Sequence, residues 1–297
     1  MTDLTNQLQQ HLPELSVKQR AVAHLLGADP TFVAFASVAE VAARTEVDPA
    51  TVVRTCQRLG YQGWTQLQAG VRQELKGRPT FAERLDELGQ RHGDHVGPVF
   101  ATAIDNVTAT LEVLDAGGLD AVARALAQAA GVLIAAGGVS QGPGLFLTSS
   151  LQLVGRRAHL VSGAAAAGPA LSTLRPGDVV VGLSVWRYLR TTVQVLEQAS
   201  QVGAVTVAIT DSSLAPAAAI ADHVLVTRTA SVGPRLGLAG MITLLEALVA
   251  QVAAQDPDAA IEGAARADRL YFDGHVLGDD DRGSAADRIP RLPSDRG

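Results

Sequence analysis

The chain has 297 residues, 47% of them hydrophobic and 4% aromatic, a net charge of −6 and a single cysteine, Cys56. That length suffices for two ordinary domains with cores built mostly from Ala, Val and Leu. No apolar run reaches the ~18 residues that span a bilayer, one cysteine excludes an internal disulfide framework or a cysteine metal cluster, and "MTDLTNQLQQ" has no basic-then-apolar leader, so the expectation is a cytoplasmic protein without membrane contact.

The charge is uneven. Residues 1–78 hold eight Lys/Arg against seven Asp/Glu, whereas the remainder holds sixteen against twenty-three, and residues 44–78 alone hold six against three. An acidic body repels phosphate backbones, so any nucleic-acid contact is confined to the small positive region.

In chain order, Ser16 to Leu26 has the apolar spacing of an amphipathic helix. In "SVAEVAARTEV", Ser37 and Glu40 form a capping-box pair ahead of the stripe Val38, Val41 and Ala42. "DPATVVRTCQRLG" follows, with Asp48 as cap, Pro49 in the first turn and Gly60 as terminator. A further helix spans Trp64 to Lys76, and "KGRPT" reads as a linker. Helices are expected over Pro98 to Leu114 and Leu119 to Ala130. Strands "GVLIAAG", "RAHLV", "GDVVVGLSV", "AVTVAIT" and "HVLVT" then alternate with helices at Ser140 to Val154, Arg190 to Val202 and Pro234 to Ala253. Such alternation implies a parallel sheet covered on both faces. Beyond about Asp256 the Asp, Arg, Gly and Pro content reads as a disordered tail. Of the histidines, His159 reads as core and His223 as a strand-edge group, while His92 and His95 lack a nearby third metal ligand. Glu246, on a long apolar helix, is either a ligand contact or a dimer-face residue.

Two short helices joined by a tight turn match a helix-turn-helix, whose second helix places its N-terminal residues at base edges in the major groove. On that helix Val52, Val53, Cys56 and Leu59 supply an apolar face, and Ala50, Thr51, Arg54 and Arg58 the other. Arg54 has the reach to chelate a guanine, Thr51 to meet a base edge or phosphate, and Arg58 to meet a phosphate. The competing reading is a solvated helix face. Tyr61 and Trp64 either touch the DNA backbone or close the three-helix unit as core aromatics.

The combination of "SVAEVA", "TVVR" and "RLGYQGW" over residues 15–75 resembles the N-terminal domain of RpiR-family bacterial transcription regulators. The resemblance implies a dimer on a palindromic operator, with Arg44, Ala50, Thr51, Arg54, Arg58 and Tyr61 as the DNA-binding set. It also implies that the second domain is a sugar-isomerase-type (SIS) phosphosugar-binding domain. "AAGGVS" is similar to that domain's Gly-x-Gly-x-Ser loop, with Gly138 and Ser140 at the matching positions. The expected fold is therefore an all-α helix-turn-helix domain (1–78), a linker (79–97), and a doubly wound, flavodoxin-like α/β domain with a five-stranded parallel sheet (98–255), followed by the tail (256–297).

In a doubly wound sheet, ligands bind at the carboxyl ends of strands where the strand order reverses. The loops expected there contribute Gly138, Ser140, Gln141, Ser184, Arg187, Arg190, Thr191 and Thr192, and helix N-termini with hydroxyls suit a phosphate. The usual Ser-x-Ser-Gly-x-Thr phosphate loop is replaced by "SVWRYLRTT", with Trp186 and Arg187 in place of small Ser and Gly. Either Arg187 or Arg190 clamps an anionic sugar-like ligand, or Trp186 and Tyr188 fill the pocket and the domain only dimerises. The main functional reading is a ligand-controlled transcription regulator that needs no cofactor, metal or catalytic residue and forms a homodimer or higher homo-oligomer. The alternatives are an isomerase or etherase on the same fold, disfavoured by the absence of Glu, His or Lys beside the two loops, and a sensor that has lost DNA binding.

Overall fold

The computed structural model describes residues 3–28, 30–76, 81–90, 93–213 and 215–273. His92 and the segment 274–297 of the expected tail lie outside them.

Among its described residues the N-terminal unit contains six α-helices: α1 (Asp3–His11), α2 (Val17–Ala28), α3 (Pro30–Phe35), α4 (Val38–Arg44), α5 (Pro49–Arg58) and α6 (Trp64–Lys76). α1 and α3 precede or interrupt the expected motif and have no counterpart in the sequence reading. Leu4 and Leu8 of α1 and Val33 and Ala34 of α3 are buried with Val22, Leu26, Val41, Val52, Cys56, Leu59, Leu67 and Val71 in one core. Those two helices thus complete a core that three short helices could not enclose. The capping box forms as the sequence predicts: Ser37 accepts from the Glu40 N–H and Glu40 accepts from the Ser37 N–H. Cys56 is fully buried, and burial pushes its thiol up to about 11.

α7 (Phe81–Gln90) lies within the segment 79–97 expected to be a linker. α8 (Val96–Val113) and α9 (Ala116–Gln128) follow. Next come β1 (Val132–Ala136), α10 (Gln141–Leu153), β2 (Ala158–Val161), α11 (Ala164–Leu171), β3 (Val179–Ser184), α12 (Arg190–Val202), β4 (Val205–Thr210), β5 (His223–Val226), α13 (Ala239–Gln255) and α14 (Pro257–Asp273). The five strands form one parallel sheet in the order β2-β1-β3-β4-β5. The order reverses between β1 and β3, which opens a crevice above their carboxyl ends.

All five residues of β1 and all six of β3 are buried, as a strand covered on both faces requires. One apolar layer joins the sheet to α9, α10 and α13, and a second joins it to α11 and α12.

Three expectations change here. His159 is exposed, because β2 is an edge strand with a solvent-facing side. The helix expected from Pro234 begins only at Ala239, and residues 234–238 form a loop. Residues 257–273 form α14 instead of a disordered tail. Gly263 meets Gly155 so closely that an added Cβ would sit 2.5 Å from the Gly155 nitrogen. Two glycines at one crossing let the helix dock backbone to backbone, which a composition argument does not register.

Candidate functional site

The exposed face of α5 is set by its N-terminus. Asp48 caps the helix: its carboxylate accepts from the Thr51 N–H at 2.8 Å and from the Thr51 hydroxyl at 2.6 Å. Those bonds, ahead of the nearby Arg54 charge, hold the Asp48 carboxyl below its ordinary range. The Arg54 guanidinium donates to Thr51 Oγ1 at 3.0 Å and lies 3.5 Å from Asp48. Thr51 is only 6% exposed. It bridges the cap and Arg54, on the inner side of the first turn of α5. Ala50, Arg54 and Arg58 are exposed. Arg44, also exposed, stacks on Phe32 with its guanidinium carbon 4.5 Å from the ring centroid. Tyr61 packs against the helical core and lies 3.6 Å from the position a Gly70 Cβ would take.

The second site lies over the β1/β3 crevice, a cavity of about 370 Å³. β1 delivers Gly137, Gly138, Val139 and Ser140, and β3 delivers Leu183, Ser184, Val185, Trp186, Arg187 and Leu189. Gly138 to Ser140 form a 3-10 turn that lines the cavity and runs directly into α10, so the amino end of a 13-residue helix adjoins it. Gly138 has φ +58°, and a Cβ on Gly137 would sit 2.7 Å from Leu189 Cδ1. Ser140 and Ser184 are 2% and 3% exposed, and the Ser184 hydroxyl has no hydrogen-bond partner within the protein.

Arg187, where the usual loop has Gly, adopts φ +70°. The loop thus keeps a glycine-type backbone while carrying a guanidinium. Trp186 is half-buried as one wall of the cavity, its backbone N–H donating to the Asp211 carboxylate at 3.1 Å. The remaining walls are Phe81 and Arg84 of α7, and Pro234, Arg235 and Leu236 of the β5–α13 loop. Among the described residues, three arginines and no carboxylate line this volume. Such a site favours an anion.

Residues 2–78 match the model of the rpiR-family helix-turn-helix domain, and residues 125–254 match that of the SIS domain. The sugar isomerase domain of an RpiR transcription factor from Sphaerobacter thermophilus is 36% identical. It covers 60% of this chain and 100% of its own, with a TM-score of 0.58. The chain belongs to the RpiR family. An uncharacterized HTH-type transcriptional regulator of Haemophilus influenzae is 26% identical over 80% of this chain and 86% of its own. The NanR protein of Vibrio vulnificus, solved in complex with ManNAc-6P, shares the fold at 19% identity. It covers 93% of this chain and 100% of its own, with a TM-score of 0.59. A helix-turn-helix unit joined to a SIS domain is the architecture of a DNA-binding transcriptional regulator. No helix among the described residues is long and apolar enough to cross a membrane.

Of the ligand residues expected in this RpiR-family chain, Gly138, Ser140, Ser184 and Arg187 meet at the cavity. Gln141, Arg190, Thr191 and Thr192 do not line it. α12 begins at Arg190 and turns its next residues away: Thr191 borders a groove beside α11, and Thr192 is buried. Glu246 is exposed on α13 and does not line the cavity. The sequence reading missed Phe81, Arg84 and Arg235. Arg235 carried a usable signal, since "SVGPRLG" is a Gly- and Pro-bounded loop at the carboxyl end of a strand. Phe81 and Arg84 sit 51 and 48 residues before β1, and no local pattern marks them.

Proposed function

We propose that this regulator binds operator DNA through α5 and is controlled by an anionic sugar derivative, such as a sugar phosphate, held in the β1/β3 cavity. The observation that carries the reading is a cavity lined by Arg84, Arg187 and Arg235 with no carboxylate among its described residues, beside the buried, unpartnered Ser184 hydroxyl. Ser140, Ser184 and the amino end of α10 suit a phosphoryl or carboxylate group, and the arginines supply charge. Trp186, Leu189 and Val139 give the apolar face that a sugar ring packs on. A sugar phosphate fits this class, as the NanR complex with ManNAc-6P illustrates for a protein of similar fold.

The isomerase alternative needs a group that takes a proton from the substrate, and arginine remains protonated at working pH. The cavity is furnished to hold an anion, which favours sensing over turnover.

The unit ending at α6 acts as the DNA-binding head, with Arg54 at base edges and Arg58 and Arg44 at phosphates. α8 presents Val96, Phe100, Ile104 and Leu111 to solvent, each more than 60% exposed. Their spacing forms one stripe, suited to a symmetric partner of this chain. The described chain from α8 to α14 then forms the effector and dimerisation domain.

Two measurements on the full-length protein test this. Footprinting of selected genomic fragments should show paired half-sites about one helical turn, or a multiple of it, apart. A thermal-shift panel of sugar phosphates and acidic sugars should contain a stabilising member, worth about 2.7 kcal/mol at a hundredfold excess over Kd, and that shift should disappear in Ser184→Ala. No shift with any anionic sugar would remove the effector reading, and a single half-site would remove the dimer.

A further inference from the structure

Two of the cavity's walls do not come from the sheet. Phe81 and Arg84 are on α7, which precedes the SIS domain and follows the DNA-binding helices by four residues. The Arg187 guanidinium carbon lies 4.0 Å from the centroid of the Phe81 ring. A guanidinium resting on a ring by its flat face keeps its in-plane N–H groups available to an anion. Phe81 therefore orients Arg187 without using the donors that a ligand needs.

α7 is lightly held. It has ten residues, fewer than an isolated helix needs for stability in water. Of its three large apolar residues, Phe81 and Leu85 remain 49% and 53% exposed and only Leu88 is half-buried. Its only cation, Arg84, shares the cavity with Arg187 and Arg235. α7 as a whole is acidic, with Glu83, Asp86 and Glu87 beside Arg84. Like charges therefore crowd only within the cavity, where Arg84 meets Arg187 and Arg235, and the Phe81–Arg187 stack favours seating. An anion among them turns the repulsion into attraction.

We propose that α7 is the movable wall of the effector site: Phe81 orients Arg187, Arg84 supplies a second cation to the bound anion, and occupancy clamps α7 onto the SIS domain. The inference rests on the anion-site reading above. It adds that effector contacts extend outside the SIS domain, into the helix that leads from the DNA-binding head. Because the coupling is reciprocal, whatever clamps α7 also changes the head's freedom to take its DNA-bound position.

Amide hydrogen exchange on the full-length protein, with inorganic phosphate as the probe, tests the proposal. Phosphate should slow exchange in 81–90 together with 184–189. Without phosphate, Phe81→Leu keeps an apolar contact but removes the aromatic face, so exchange in α7 should rise about two- to fivefold, as expected for an exposed cation–π contact. Arg84→Gln should leave the free protein's exchange unchanged or slower and should lose the phosphate-induced protection of α7, while protection of 184–189 remains. If phosphate raises Tm and protects 184–189 but leaves α7 unchanged, the anion site stands and the movable wall is wrong. If phosphate neither raises Tm nor protects either segment, the anion site itself is wrong and the proposal falls with it. Unchanged α7 exchange in Phe81→Leu would show that the Arg187 stack does not hold the helix.

Discussion

Arg187 stacks on Phe81 while holding a backbone conformation, φ +70°, that suits glycine better than arginine. The two facts pull in opposite directions on stability. A non-glycine residue in the left-handed region costs about 1–2 kcal/mol, while glycine costs about 0.5–1 kcal/mol in lost chain freedom, and the lost stack costs about 0.5–1 kcal/mol more. Arg187→Gly should therefore shift the protein's own Tm by no more than a few degrees. It should nevertheless abolish most of the stabilisation that phosphate gives. A large drop in Tm would mean that Arg187 is chiefly a structural residue.

Thr51 and Arg54 should separate in DNA binding. Arg54→Ala should cost about 1–3 kcal/mol on the operator and relax preference at one base position, whereas Arg58→Ala should weaken all sequences alike and lower the salt slope. Thr51→Ala removes a hydrogen bond to the cap and one from Arg54, so it should lower stability by about 1 kcal/mol and weaken operator binding less than Arg54→Ala does. Competition binding against random duplex at two salt concentrations measures all three.

The β5–α13 loop owes its place to α8. Asn106 donates to the Ala230 carbonyl at 2.8 Å and accepts from its N–H at 3.0 Å, and Thr110 Oγ1 accepts from the Arg228 N–H at 2.9 Å. A Cβ on Gly237 would overlap the Ala230 carbonyl oxygen and press on Asn106. Gly237→Ala should destabilise the protein by about 1–3 kcal/mol and displace Arg235 from the cavity wall, weakening phosphate binding. Urea unfolding with and without phosphate separates the two effects.

His24 gives the helical unit an acid limit. Its Nδ1 is buried without a partner, and its pKa lies below the ordinary 6.5, chiefly because burial disfavours the cation and secondarily because Arg20 repels it. The unfolded chain takes up a proton as pH falls through about 6.5, while the folded chain resists it until lower pH. Its contribution to stability is therefore complete above about pH 6.5 and declines as pH falls toward the folded value. His24→Gln should flatten the pH dependence of urea unfolding between pH 7.5 and 5.5. An unchanged slope would assign the acid sensitivity elsewhere.

The sequence determined the features with a short physical range. The Ser37–Glu40 capping box, the Asp48 cap before Pro49 and the ends of α6 and α12 follow from neighbours within one helical turn. The buried strands β1 and β3 follow from unbroken apolar runs bounded by glycine, and their alternation with helices specified a parallel sheet. That pattern also placed Gly138, Ser140, Ser184 and Arg187 at the carboxyl ends of β1 and β3, because a strand's carboxyl end is visible in one dimension.

Tertiary structure decided what depends on distant packing. Thr51 turned inward because Asp48 and the helical core both claim its side of α5. Residues 257–273 became α14 because Gly155 and Gly263 let two backbones meet 108 residues apart. Phe81, Arg84 and Arg235 reached the cavity from beyond the strands that frame it. Only the closed fold brings three cations separated by as many as 151 residues around one volume. Chain order records none of that proximity, since the charges gather only after the sheet and the helices around it have been assembled.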